Sequence, residues 1–335
     1  LPGEATPATV ATMDWNLAPV EATDAVNTYT GRADIRYEND QISITHELLQ
    51  PFSSKLDGIV ELATSDEPQL EFTLDWTDLD IPLAGRQTLQ SKHGNVHISG
   101  SPSVLNATAM TQFESTPIGP LALSTRTQWA EPELTIRELA IDLLEGRIEG
   151  TGTLTLNEIP RARLDLHGRN LDLGGLQADL NSRLDLTAGV DLDYAQDRLN
   201  GRIDITSLDG EWRGHALAGK ALITRRADRL RIESLRLTSG ENRINMELDL
   251  EHSISGYLDL DIKDMSVFFA DLAGNLNGRF DIGGTLDEPR ISGQLEGADI
   301  FARDLRIATL KAATAIDLRP GQQSSINLET GPLQY

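Results

Sequence analysis

The sequence contains no cysteine and few aromatic residues, and each absence narrows what the protein can be. Without cysteine, the 335-residue chain can form no disulfide framework, thiol nucleophile or thiolate metal site. Aromatic residues make up 5% of the chain, and the apolar fraction of 39% is below that of a typical globular protein. Two closed domain cores would therefore lack the large rings that usually fill them, and the apolar content is mainly aliphatic.

Positive charge and long apolar runs are also scarce. The chain has 29 Lys and Arg against 52 Asp and Glu, a net charge of −23, and such a surface repels phosphate backbones, which excludes nucleic acid as a partner. Apolar runs such as Val267–Ala270 fall short of the roughly 18 residues that a membrane helix needs. The first residues, Leu1–Glu4, do not read as a signal peptide. Because the chain begins without Met, we expect a mature product or a piece of a longer protein.

Strict alternation of apolar and polar residues is the main signal in this sequence. From Asp179 to Tyr194, leucine, alanine, valine and tyrosine occupy nearly every position of one parity, and charged residues dominate the other. Side chains of a strand point to opposite faces with a period of two. This segment therefore predicts a long ribbon with one apolar and one charged face, with Gly189 as the expected place for a break.

The same alternation recurs along the chain between turn-forming Gly and Pro residues. Helical spacing is confined to two short stretches, Ala18–Asn27 and Met265–Leu272. The sequence therefore predicts an all-β fold of many amphipathic strands. The apolar-parity residues expected to line one common surface are Leu74, Trp76, Leu154, Leu156, Leu164, Leu166, Leu180, Leu184, Leu186, Val190, Leu192, Tyr194, Ile244, Met246, Leu248, Leu250, Leu258, Leu260 and Ile262.

Weak self-similarity indicates a repeated supersecondary unit. The pattern of Leu134–Ile141 returns 96 residues later as Leu230–Leu237. No Pro/Ser-rich linker divides the chain, so we expect one continuous, elongated array in which each unit covers the edge of its neighbour. Chance similarity among β-rich segments is the alternative explanation.

A sheet with one apolar face must bury that face in a sandwich, a barrel, a solenoid or an open trough. Many similar strands, few aromatic rings and a strongly acidic outer face favour an elongated, curled sheet with an open hydrophobic groove. An uncovered apolar groove needs an apolar occupant to resist aggregation, and acyl chains are the obvious candidates. A closed β-solenoid with a structural or adhesive role is the remaining alternative.

Three segments carry a resemblance to a known family: Leu74–Gly85, Glu133–Leu154 and Gly283–Leu295. The third reads Gly-Thr-Leu-x-x-Pro-x-Ile-x-Gly and is the most distinctive. Together they resemble the translocation and assembly module subunit TamB and its AsmA-like relatives. The similarity covers most of residues 70–318 and is weakest before Gln69. We therefore expect an N-terminal β-rich part over residues 1–69 and a continuous β-groove over residues 70–335.

The resemblance implies a periplasmic protein of a diderm bacterium with a taco-like sheet (β-taco) around a hydrophobic groove. Its implied role is lipid transport, with the groove conducting phospholipid from the inner to the outer membrane. The alternative role is a scaffold that assists assembly of outer-membrane β-barrel proteins, such as autotransporters, through β-augmentation and a barrel partner. The family's N-terminal membrane helix and barrel-binding C-terminus are not seen here. The chain therefore resembles an interior piece of a longer protein, and membrane and barrel contacts are expected only through parts absent from it.

Candidate catalytic and metal-binding residues do not form a recognisable site. His93 and His97 have the spacing of a helical metal site, but their surroundings alternate as in a strand, where the two rings would lie about 13 Å apart. Acidic pairs such as Asp191 and Asp193 sit on the charged parity, where a weak calcium site is the alternative to a charged surface. We expect no enzyme activity, no metal site and no cofactor.

Overall fold

The computed structural model describes most of the chain, and the description below is confined to those residues. They are residues 9–17, 29–50, 53–62, 66–82, 88–115, 119–176, 180–195, 198–269, 271–302, 305–317 and 324–334. They fall into two compact units, residues 1–158 and residues 159–335. The division expected at Gln69 remains a prediction.

The first unit is built from ten strands. They are β1 (Thr9–Leu17), β2 (Tyr29–Glu38), β3 (Gln41–Gln50), β4 (Ser53–Glu61), β5 (Gln69–Pro82), β6 (Thr88–Ser101), β7 (Val104–Ser115), β8 (Leu121–Ala130), β9 (Glu133–Leu143) and β10 (Gly146–Thr155). Each strand pairs antiparallel with the next one along the chain. The unit is therefore a plain antiparallel meander.

The second unit continues the same architecture. Its strands are β11 (Arg161–Leu171), β12 (Ser182–Ala195), β13 (Arg198–Trp212), β14 (His215–Arg226), β15 (Arg229–Ser239), β16 (Asn242–Leu250), β17 (Ile254–Ile262), β18 (Leu272–Gly284), β19 (Pro289–Ala302), β20 (Leu305–Asp317), β21 (Ser325–Thr330) and β22 (Leu333–Gln334). Strands β11 to β20 form a meander, and β21 and β22 both pair with β20.

The predicted all-β fold of amphipathic strands is confirmed. The sheet is antiparallel and open. A closed β-solenoid is excluded, because its coils stack strands in parallel whereas every pairing described here is antiparallel.

The ribbon predicted over Asp179–Tyr194 forms the single strand β12, but the break expected at Gly189 is wrong. The strand runs through that glycine, which pairs with Asp165 on one side and Asp204 on the other. Hydrogen bonds to both neighbouring strands hold the backbone extended, so the strand continues through this glycine. Leu180 lies before the strand rather than in it.

The helix signal of Met265–Leu272 yields only a single 3₁₀ turn, Met265–Val267, before β18 begins. The carboxylate of Asp264 caps this turn by accepting from the backbone N–H of Ser266 at 2.9 Å. An equivalent 3₁₀ turn, Leu173–Gly175, is capped by Asp172, which lies 92 residues earlier. The other predicted stretch, Ala18–Asn27, lies outside the described residues.

Candidate functional site

The strand register collects the aliphatic residues of the second unit into continuous rows. Partners in an antiparallel pair point to the same face of a sheet, so successive partners trace one row across the strands. One row crosses all ten strands from β11 to β20 and contains a single glycine. It consists of Leu164, Val190, Ile203, Ile223, Ile232, Leu248, Gly256, Ile282, Ile291 and Ile316.

Two further rows run beside the first on the same face. One begins at Leu166 and passes through Met246 and Leu258, and the other passes through Leu186, Ile244 and Leu260. We call this surface the apolar face of the second unit. It holds the predicted residues that lie in its strands: Leu164, Leu166, Leu184, Leu186, Val190, Leu192, Tyr194, Ile244, Met246, Leu248, Leu250, Leu258, Leu260 and Ile262.

The first unit has an apolar face of the same kind. A row crosses β2 to β10 through Tyr37, Ile42, Val60, Leu70, Gly100, Leu105, Trp129, Leu134 and Leu154. Leu74 and Trp76 have the same parity as Leu70 within β5 and so share this face. The remaining predicted residues, Leu156 and Leu180, lie outside strands.

Most side chains of the two apolar faces are half-buried. Of the predicted residues, only Leu184 (5% exposed) and Ile262 (3%) are buried, whereas Leu156 (50%) and Tyr194 (49%) are exposed. The faces therefore retain apolar area that a ligand could cover.

Glycines on the apolar faces lie under large side chains of adjacent strands. A Cβ added at Gly94 would lie 2.0 Å from Cζ2 of Trp76, and one at Gly293 would lie 2.6 Å from Cδ1 of Phe280. Each ring therefore lies over the glycine of the neighbouring strand.

One rim of the second unit's apolar face is covered, and we call it the capped rim. It lies where odd-numbered strands end and even-numbered strands begin, and both 3₁₀ turns leave the sheet there. Met265 and Val267 of the second turn are buried, and Met265 packs with Ile262 and Ile300 in one cluster. Arg213 Nη1 donates to the carbonyl oxygen of Phe268 at 2.9 Å, which ties the segment after the turn to the β13–β14 connection.

The opposite rim is exposed, and we call it the open rim. It lies where even-numbered strands end and odd-numbered strands begin. Tyr194 (49%), Leu199 (45%) and Leu230 (39%) are exposed there, although all three belong to the apolar face. The apolar face of the second unit therefore reaches solvent at this rim.

A small polar network lies within the apolar face of the first unit. Trp76 Nε1 donates to Ser91 Oγ at 2.9 Å, and Ser91 Oγ and Thr111 Oγ1 share a hydrogen bond of 2.7 Å. Ser91 is fully buried, and the register shifts beside it between Ser91 and His93. The apolar alternation does not predict this network. Thr111 has the apolar parity of its strand, but Ser91 has the polar parity of His93 and His97 and pairs with Phe113 only because the register shifts beside it.

Charged residues occupy the opposite face, as the alternation predicts. Arg163 Nε lies 3.3 Å from Asp191 Oδ2, and Lys263 Nζ lies 2.7 Å from Asp261 Oδ1. On the same charged face, a hydrogen bond from Arg229 holds the pKa of Asp249 below its usual value. Such exposed pairs stabilise little individually and keep this face hydrated.

No group of three or more His, Asp or Glu side chains in the described part of the chain could hold a metal ion. His93 and His97 both lie in β6, in the strand conformation that the sequence predicts. Asp191 pairs with Arg163, and Asp193 accepts a hydrogen bond from Asn200 at 2.9 Å. These two carboxylates are thus engaged by protein donors. Among the described residues, no helix has the length and hydropathy required to cross a bilayer.

Comparison with known proteins identifies the family. No curated protein and no solved structure matches the chain. The family described as TamB, N-terminal domain, matches residues 13–335. The match therefore includes the segment before Gln69, where the resemblance of the sequence motifs is weakest. Its members are transport and assembly proteins. The relationship to AsmA-like proteins is not confirmed by this match. The chain therefore belongs to the TamB family and corresponds to the N-terminal domain of that family.

Proposed function

We propose that this chain is a periplasmic segment of a lipid-transfer bridge, which conducts phospholipid acyl chains between the inner and outer membranes. The apolar face would form the wall of the conducting groove. The observation that supports this proposal is the aliphatic row from Leu164 to Ile316, which crosses ten strands without a charged side chain. Most side chains of this row are half-buried rather than buried.

The chemistry of the face suits an acyl chain. An alkyl chain offers no hydrogen bonds and gains about 0.8 kcal/mol for each methylene group removed from water. Half-buried Leu, Ile and Val side chains offer such burial. No bond is made or broken in this function, so it requires no catalytic residue.

The headgroup must stay hydrated while the tail is buried, because transferring an unpaired charge to an apolar surface is expensive. The open rim satisfies this requirement. Tyr194, Leu199 and Leu230 extend the apolar face to the water boundary there. A phospholipid would lie with its tail on the rows and its headgroup beyond the open rim.

A scaffold that assists β-barrel assembly is the second candidate, and the edge strand β21 favours it. Among the described residues β21 pairs only with β20, so its other edge carries backbone groups available to a further strand. Its apolar residues Ile326 (67%) and Leu328 (60%) are largely exposed. An unprotected edge of this kind is a template for β-augmentation.

Direct measurement of bound lipid tests the lipid-transfer proposal. The purified chain would be incubated with vesicles of phosphatidylethanolamine and phosphatidylglycerol, reisolated by size exclusion and analysed by native mass spectrometry. We expect phospholipid to remain bound in proportion to protein. A chain that emerges free of lipid from both vesicles and cells would overturn the proposal.

A further inference from the structure

Five arginine side chains line one cleft of the second unit, in a chain whose net charge is −23. The cleft has a volume of about 610 Å³ and is formed by the first strands of the unit, β11 to β14, with one residue of β15. Its basic residues are Arg161, Arg163, Arg202, Arg225 and Arg226.

The carboxylates in the same cleft leave it positively charged. Asp191, Asp193 and Glu233 line it, so five arginines against three acids give a net charge of +2. Each of the three acids already has a protein donor. Asp191 lies 3.3 Å from Arg163 Nε, Asp193 accepts from Asn200 at 2.9 Å, and Glu233 accepts from a threonine hydroxyl at 3.1 Å.

Three of the arginines have no acidic partner. Arg202 is engaged, with Nη2 lying 2.7 Å from Asp204 Oδ2. Arg161, Arg225 and Arg226 have no carboxylate within ion-pair distance in the part of the chain that the structure describes. Guanidinium groups form bidentate, charge-assisted hydrogen bonds with phosphate oxygens. The cleft thus offers several unused donors to one anion.

The cleft adjoins the open rim of the apolar face. Arg225 pairs with Gly201 and Leu230, so it belongs to the outermost apolar rows beside that rim. Arg226 is the next residue of β14 and points to the opposite face. By the register, Arg161, Arg163 and Arg202 lie on the charged face together with Arg226. Arg225 is the arginine of the cleft that lies on the apolar face, at the rim where an acyl chain on the rows would reach water.

We propose that this arginine cleft binds the phosphate group of a lipid headgroup while the acyl chains lie on the apolar face. The inference rests on the proposed lipid-transfer function, because that function places a phosphate at the open rim. Free phosphate has the same anionic chemistry, and the experiment below separates the two sources.

Calorimetric titration at low ionic strength would compare three probes: inorganic phosphate, glycerophosphoglycerol and dihexanoyl phosphatidylglycerol. We expect the wild-type chain to bind the lipid about tenfold or more tightly than its isolated headgroup, because the tails add buried area. Arg225→Gln with Arg226→Gln should weaken both glycerophosphoglycerol and lipid binding by about tenfold. Arg36→Gln with Arg290→Gln removes the same charge from exposed positions outside the cleft and should change neither affinity by more than about twofold.

The outcomes distinguish failure of the headgroup site from failure of the lipid-transfer proposal. Unchanged affinities in the Arg225/Arg226 variant would overturn the headgroup site, even if lipid still bound. Binding of phosphate and glycerophosphoglycerol with no gain from the acyl tails would also overturn it, because the cleft would then take a free anion. The lipid-transfer proposal would be rejected separately if Leu248→Asp, which alters the apolar row, left lipid affinity unchanged.

Discussion

Trp76 occupies the space that Gly94 leaves on the neighbouring strand. A Cβ on that glycine would lie 2.0 Å from Cζ2 of the indole, and the indole Nε1 donates to Ser91 Oγ at 2.9 Å. The glycine and the hydrogen bond together hold the ring over the neighbouring strand. The surface offered by this part of the first unit therefore depends on a residue without a side chain.

Gly94→Ala should lower the free energy of unfolding by about 1–3 kcal/mol, because the added methyl group must displace the indole. Gly189→Ala is the matched control, since its Cβ would have no atom within 4 Å and its φ is not positive. We expect that control to be neutral or slightly stabilising. Urea denaturation of both variants measures the difference. Equal effects of the two substitutions would contradict the packing described here.

Leu248→Asp should block lipid transfer while leaving the chain folded. Leu248 lies in the middle of the aliphatic row and is only half-buried, so the carboxylate can hydrate in the free protein but opposes a bound acyl chain. We expect transfer of a pyrene-labelled phospholipid between vesicles to fall by about tenfold or more. Circular dichroism would check the fold.

Asn245→Asp is the control for this substitution, because it places the same charge on the opposite face of the same strand. Transfer by this variant should equal that of the parent chain. Unimpaired transfer by Leu248→Asp would argue against an acyl path along the row. Leu184→Asp is less informative, because Leu184 is buried and its loss would destabilise the sheet.

Asn327→Pro separates the scaffold function from the lipid function. Proline in β21 removes a backbone donor and disrupts the strand available for augmentation. If the chain templates barrel strands, this variant should lose binding of a peptide derived from a barrel strand while Leu248→Asp retains it. If the chain transfers lipid, Leu248→Asp should lose transfer in the vesicle assay, whereas Asn327→Pro should retain it. Pull-down of the labelled peptide provides the measurement.

Acid should weaken the capped rim through Asp264. Hydrogen bonds from the Ser266 hydroxyl and backbone N–H hold the pKa of Asp264 below its usual value. A carboxyl whose pKa is lower in the folded state adds stability above its unfolded pKa, and this contribution is lost as the pH falls through the folded value.

Asp264→Asn keeps an oxygen acceptor for the cap but removes the charge. We expect this variant to be less stable than the parent chain at neutral pH, with the difference narrowing below about pH 4. Thermal denaturation as a function of pH would measure it. Asp287→Asn is the control, because Asp287 makes no hydrogen bond or ion pair among the described residues. A constant difference at all pH values would exclude the charge as the cause.

The strands and their two faces follow from local sequence, which is why they could be predicted. Alternation decides which side chains share a face, and the register from β16 to β17 keeps Met246 opposite Leu258 with no interruption. Local alternation could not show whether the strand breaks at Gly189. Its backbone is held by partners in β11 and β13, which are remote from it in the sequence.

The capped rim and the arginine cleft were beyond prediction for the same reason. Arg213 contacts the carbonyl of Phe268 across 55 residues, and no local pattern records that contact. The cleft collects arginines from β11, β13 and β14, each of which reads alone as an ordinary surface charge. Periodicity reports what lies within one strand, whereas these features depend on which strands become neighbours.

From β11 to β20 each described strand pairs with the strands next to it along the chain, and this pairing has an evolutionary consequence. Inserting or deleting a whole hairpin leaves every other pairing intact and returns the next strand to the same orientation, so the apolar side remains apolar. Recurrence of an aspartate-capped turn after 92 residues, at Asp172 and Asp264, is what duplication of such a block would leave behind. The number of strands in such a sheet can therefore be changed by gene duplication, with no redesign of its interior.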